Sequence, residues 1–460
     1  MKTSQLASRH RDILNGPMLS GIIMFALPIA LSSILQQLFN SVDVAVVGHF
    51  ASNAAAATAA VGCNGPIINM IINLFVGISV GANVVIANHI GQGNRNKTSS
   101  AVHTAMTVAL ISGVFLLFLG LLIAKPILEL MNTPDDVLDY AVDYLRIYSL
   151  GLPFIMVYNF GSAILRCIGD TKRPLFCLIV SGVMNALLNL FFVIVFHLDV
   201  EGVAIATVIS NAVSSILVFS FLMKEKSDVK LELKRLGINK EDLKRLLTIG
   251  IPAGVQSVVF SISNVFIQSV LNRFGTAVVA GSAVTLNYEN CTYYTISAFA
   301  QATITYTSQN YGAGRYERCR KAFRISLVLS LLVSGFLGNT FRLFHEIFIP
   351  VFTSDPAVAE YAYVRMQYLF ILYLLISTYE IPGAALRGMG HSLAPALITV
   401  FGTCVFRLLW VYIVPDINPS LGALYVVYPI SWILTGLAVS IAYIVLSKRE
   451  YRKQAKISRI

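Results

Sequence analysis

Charge is scarce in this chain. Asp, Glu, Lys and Arg make up 12% of its 460 residues and hydrophobic residues 56%, so nearly every long segment is too apolar to present a polar face to water. An ordinary soluble globular domain is therefore excluded. Cysteine is sparse as well. Cys63, Cys167, Cys177, Cys291, Cys319 and Cys404 form no C-x-x-C pair and join no histidine cluster, which argues against a disulfide framework or a zinc centre and for reduced structural thiols. The patterns G-x-x-x-x-G-K-[ST], H-E-x-x-H and G-x-S-x-G are all missing, so the sequence offers no nucleotide-hydrolysing or familiar enzymatic site, and no cofactor is expected.

What the sequence does have is apolar runs. Crossing a bilayer takes roughly 20 apolar residues, and the runs at 19–48, 58–90, 101–124, 137–163, 174–196 and 202–223 each suffice. A second set follows at 246–272, 279–310, 322–351, 358–385, 393–415 and 421–447. In lipid only helices or a closed barrel satisfy the backbone, and uninterrupted runs such as 104–124 fit helices. The first run is too long for a signal-peptide core and reads as a retained span.

Cations outnumber acids, 34 to 23, yet they form no patch that would suit nucleic acid. They fall in short loops between the runs. With both termini cytoplasmic, all of them except Lys125, Arg146, Arg273, Arg342, Arg365 and Arg407 lie in or beside the inner loops and tails, as the positive-inside rule requires. The expected protein is thus multi-pass in the plasma (inner) membrane, surrounded by lipid, and monomeric. Its longest connection, Lys224 to Arg245, carries eight cations and is expected to lie on the anionic cytoplasmic membrane face, without catalytic role.

A repeat organises the whole chain. Ile90-Gly91-Gln92-Gly93 matches Tyr311-Gly312-Ala313-Gly314, and Leu165-Arg166-Cys167-Ile168-Gly169 matches Leu386-Arg387-Gly388-Met389-Gly390, both at a shift of 221 residues. Each copy holds six spans, an even number, so both enter the membrane in the same direction as a parallel repeat. The fold class expected is an all-α polytopic membrane protein of twelve transmembrane helices in two pseudo-symmetric six-helix lobes. Residues 1–223 form the N-terminal lobe, 224–245 the cytoplasmic linker, 246–447 the C-terminal lobe and 448–460 a basic tail. Two similar lobes suit alternating access, which favours a transporter over a channel, a receptor or an anchor; without a nucleotide-binding loop, an ion gradient would supply the energy.

Acids inside spans are costly and therefore candidate functional groups. Asp43 lies about five residues from the outer end of the first span, roughly 7 Å deep at the helical rise. Asn189 near the end of span five, Asn185 one turn below it on the same face, and Thr207 near the start of span six lie at similar depth. A carboxylate among neutral oxygens suits a proton or a hard cation such as Na⁺; the alternative is an interfacial acid reaching to water. In the second half Glu289 opens a polar stripe with Thr292, Tyr293 and Ser297 on span eight. It reads either as a substrate- or proton-binding group or as half of a structural ion pair with Arg407 of span eleven. Glu380, six residues before Leu386-Arg387-Gly388, would either bind substrate or contact loop cations, and span seven contributes Gln256. No other metal site is indicated.

These features together resemble the multidrug and toxic compound extrusion (MATE) family. The resemblance rests on Pro28 and Val42-Asp43-Val44 to Gly48 of span one, the Gly91-Gln92-Gly93 turn, Leu165-Arg166 to Gly169-Asp170-Thr171, Gly202 to Thr207 opening span six, and Leu386-Arg387-Gly388. It implies export of cationic or amphipathic organic compounds in exchange for H⁺ or Na⁺. It also implies a coupling site in the N-terminal lobe at Asp43, Asn185 and Thr207. The chain departs from the family in two places. Asn189 stands where many members have Asp, and span seven has no carboxylate, the C-lobe acid being on span eight at Glu289, which is similar to the MepA-like branch. A lipid-linked saccharide flippase of the wider superfamily would need a cleft lined by several cations, for which this chain offers Arg407 and Arg365.

Overall fold

The computed structural model describes residues 12–51, 54–417 and 420–457, and among them every regular element is helical. Nine helices are each long and apolar enough to cross a membrane: Met18–Phe50, Ala54–Gly91, Arg95–Leu130, Lys172–Val195, Val200–Met223, Lys240–Phe274, Tyr316–Leu343, Leu393–Val414 and Leu421–Arg452. Two further spans pass the same test only as pairs. Asp135–Leu150 with Leu152–Cys167 bends by 47°, and Pro356–Phe370 with Tyr373–Gly388 by 49°. The twelfth, Thr276–Gly312, is 37 residues long and is less apolar than those nine, carrying Glu289 and many hydroxyl side chains. It can be so because it is buried along most of its length, and a span surrounded by protein need not be apolar towards lipid. By contrast Phe118, Leu122, Phe336 and Leu437 are exposed, as residues facing lipid tails should be.

The two bends correct the reading of 137–163 and 358–385 as continuous spans. The first occurs at Gly151, with Pro153 at the start of the second piece, where a missing N–H releases the helix ladder. The second passes through a tight 3₁₀ turn at Tyr373–Ile376. Leu150 and Ile371 are 221 residues apart, so the break belongs to the repeat. So does the turn after each bent span, where Gly169 and Gly390 adopt φ of +78° and +91°, a region that favours glycine. Spans five and eleven each contain a π-helical turn, Phe191–Val195 and Val400–Val405.

The chain divides into two compact units that cut across the sequence repeat at spans one and seven. Leu31–Gly250 belongs to the first unit, whereas Ile13–Ala30 joins the second with the segment beginning at Ile251. Within the second unit, Phe25 packs edge-on against Tyr306 at 5.8 Å, and Arg318 donates hydrogen bonds to the carbonyls of Ile13 and Gly16 at 3.1 and 3.0 Å. Within the first, the Gly77-x-x-x-Gly81 stretch admits span seven so closely that a Cβ on Gly81 would strike the Leu246 carbonyl. The linker docks there too. Val229 and Leu231 are buried, the Glu232 amide donates to His103 Nε2 at 3.0 Å, and Ser100 Oγ donates to Asp242 Oδ2 at 2.7 Å. Val47, Leu128, Leu145 and Val203 represent the core of the first unit. The second unit's core is richer in aromatics, with Phe370, Tyr373, Tyr425 and Trp432.

Candidate functional site

In the first unit, four side chains from three spans form one hydrogen-bonded chain. Asp43 of span one is 8% exposed, and its Oδ1 accepts from Asn189 Nδ2 at 2.5 Å. The same Nδ2 donates to Asn185 Oδ1 at 3.3 Å, and Asn185 Nδ2 donates to Thr207 Oγ1 at 3.3 Å. Thr207 Oγ1 in turn donates to the Val203 carbonyl at 2.9 Å. Helical spacing explains why these groups meet: Asn185 and Asn189 are one turn apart on span five, and Val203 and Thr207 one turn apart on span six. A π-helical turn begins two residues after Asn189, the kind of local widening that often accompanies functional sites.

The charge balance of this chain of contacts is simple. It holds a single, largely buried carboxylate among neutral groups, where an uncompensated charge is expensive. Asn189 Oδ1 is fully buried and has no hydrogen-bond partner. That idle acceptor, the Asp43 carboxylate and the Thr207 hydroxyl are oxygens of the kind that a hard cation or an added proton would use. Tyr144 and Tyr148, one turn apart on span four, lie within electrostatic reach of Asp43. Reading the sequence span by span missed them, although their i, i+4 spacing was visible.

In the second unit the buried acid is paired with a cation. Glu289 is met by Arg365, whose Nε donates to Oε1 at 2.7 Å and whose Nη2 donates to Oε2 at 3.3 Å, a bidentate pair with both residues buried. The Tyr373 hydroxyl donates to the Glu289 carbonyl at 2.9 Å, and the Arg365 guanidinium lies over the rings of Tyr425 and Tyr428 at 5.6 and 5.7 Å. The alternative of a structural pair between Glu289 and Arg407 is not what forms: the partner of Glu289 is Arg365. Arg365 sits on the first piece of bent span ten, Pro356–Phe370, and since Arg365 and Arg407 both lie deep within their spans, depth alone could not choose between them as the partner of Glu289. Arg407 instead donates from Nε to Ser431 Oγ at 2.9 Å.

Gln256, Arg387, Tyr293 and Glu380 form a second cluster in this unit. Arg387 Nη2 donates to Gln256 Oε1 at 2.7 Å, while its buried Nε has no partner. The Tyr293 hydroxyl lies beside the Glu380 carboxylate, with Arg387 the neighbouring cation. Glu380 therefore does have a basic neighbour, but one on its own span and not in a loop. Among the described residues no group of three or more His, Cys, Asp or Glu side chains is arranged to hold a metal ion.

Comparison with known proteins agrees with the duplicated architecture. The family model MatE matches residues 28–191 and again 252–413, once in each half. The probable multidrug resistance protein YoeA of Bacillus subtilis is 28% identical over 385 residues, covering 82% of this chain and 83% of its own. The multidrug export protein MepA of Staphylococcus aureus is 21% identical over 348 residues, 75% of this chain and 76% of its own. Among solved structures, a MATE protein in the bent conformation superposes with a TM-score of 0.87 at 23% identity, over 97% of this chain and 98% of that one. At that identity the likeness speaks for the fold alone.

Proposed function

This chain belongs to the MATE family of multi-pass membrane transporters, and from that premise we propose that it is a secondary antiporter exporting cationic or amphipathic organic compounds in exchange for H⁺ or Na⁺. The observation that carries this reading is the buried chain Asp43–Asn189–Asn185–Thr207. An incoming proton or Na⁺ neutralises Asp43, and that change of one charge in a low-dielectric site biases the protein between its outward- and inward-open states. A ligand can shift such an equilibrium only through differential affinity, and a tenfold bias requires about 1.4 kcal/mol. One unit charge buried away from water is ample for this.

Recognition of the organic cation falls to Glu380, supported by Tyr293 and Gln256. Glu289 is less suited because Arg365 already meets its charge, so its role is to hold spans eight and ten together. In this reading the protein works as a monomer in the inner membrane with both termini cytoplasmic, residues 1–223 and 246–447 form the two lobes, and no cofactor takes part.

Reconstituted vesicles test it directly. A fluorescent organic cation should accumulate only when a pH or Na⁺ gradient is imposed, and imposing the two separately identifies the coupling ion. Dye accumulation indifferent to both gradients, or ion flux without dye countertransport, would replace the antiporter with a channel or a passive carrier.

A further inference from the structure

Among the described residues, the second unit buries two arginines, Arg365 and Arg407, and one acid, Glu289, while Arg387 and Glu380 are half-buried. Arg365, Arg387 and Arg407 face two acids, Glu289 and Glu380; Glu289 is taken by Arg365, and Glu380 is nearest Arg387. Arg407 is the one left over. It is 2% exposed, its hydrogen bond from Nε goes to the neutral Ser431 hydroxyl, and among the described residues no carboxylate lies within ion-pair distance of it. Its guanidinium is instead enclosed by aromatic faces, Tyr428 at 4.6 Å and Phe260 at 5.7 Å, from spans twelve and seven. The π-helical turn Val400–Val405 ends two residues before it. At the matching place in the first half the residue is Ala186, next to Asn185 of the coupling chain, so the shared scaffold does not require a cation there.

A buried arginine without a counter-charge is costly, and in membrane proteins such residues mark ligand sites more often than packing. A guanidinium presents a planar fork matched to carboxylate and phosphate oxygens, while an aromatic wall accepts the flat apolar part of an amphipathic molecule. We propose that Arg407, with Ser431, Tyr428 and Phe260, is the position in this chain that recognises the carboxylate of an amphipathic substrate. The proposal deepens the export reading and rests on it. Positive and negative recognition are then divided within one unit, with Glu380 for the cationic end and Arg407 for the acidic end.

Three matched probes separate these roles: an aromatic amphipathic cation, the same scaffold carrying a carboxylate, and the methyl ester of that acid. In vesicles, Arg407→Met should raise KM for the carboxylate probe about tenfold, the loss expected for one charge-assisted interaction. KM for the cation and the ester should hardly change, and Arg407→Lys should fall between. Because the lone charge is a burden to the fold, Arg407→Met should unfold in detergent at or above the wild-type temperature. Equal impairment of all three probes together with a lowered unfolding temperature would make Arg407 structural and overturn the proposal. If the wild type transports none of the probes, the export reading fails; binding of the carboxylate probe to purified protein, followed by quenching of Trp410 and Trp432, still decides the site. Binding lost in Arg407→Met upholds it, and equal binding by wild type and variant overturns it.

Discussion

The two sites, around Asp43 in the first unit and around Glu289 in the second, handle buried charge in opposite ways. The first places one carboxylate, Asp43, among amides and a hydroxyl that can adjust to either of its charge states. The second locks charge against charge at Glu289–Arg365, places Glu380 near Arg387, and leaves Arg407 over. A group that must gain and lose a cation each cycle needs neighbours that tolerate both states, and neutral groups do. A group held by a fixed guanidinium has lost that freedom. The same repeat thus carries a carboxylate among neutral groups in one half and, in the other, an ion-paired brace beside the proposed recognition groups.

The largest effect that would break this contrast lies in the brace. Replacing Glu289 with Gln strands Arg365 in the interior and should cost about 3–5 kcal/mol of stability, whereas Glu289→Gln combined with Arg365→Met should recover much of it. Thermal unfolding in detergent reads both, and a mild single variant would mean that Glu289 is free for ligand. Next, Glu380→Gln should weaken export of a cationic dye about tenfold while sparing a neutral one, as expected for loss of one charged contact. Equal loss for both would make Glu380 a packing residue. The smallest effect should come from Asn189→Asp, which puts a second carboxylate where Nδ2 now donates to Asp43 and so favours a bound cation. Its transport should gain Na⁺ dependence relative to wild type; unchanged Na⁺ dependence would show that Asn189 does not tune the site.

Much of this was legible in the sequence, for identifiable reasons. Spans and repeat follow from apolar runs and from turns such as Leu165 to Gly169, which are local. The Asp43 chain was legible because helical spacing aligns Asn185 with Asn189, and depth alone aligns them with Asp43 and Thr207. The partner of Glu289 was not. Arg365 and Arg407 both lie deep within their spans, and only the direction each side chain faces decides that Arg365 is the one that meets Glu289. Nor was the assignment of Ile13–Ala30 to the second unit, which depends on contacts such as Phe25–Tyr306 and Arg318–Gly16 across some 300 residues of sequence. Arg407 stands out in the sequence as the cation deep in span eleven, but its neighbour Ser431 does not, since a sequence gives depth along a helix and not the direction a side chain faces.

The account turns on Asp43, and its most direct test is gradient-driven dye accumulation by Asp43→Asn in vesicles, beside wild-type protein inserted to the same level. The account predicts that the variant still binds dye but accumulates none under either a pH or a Na⁺ gradient. Accumulation at the wild-type rate under the gradient that drives the wild type would contradict it.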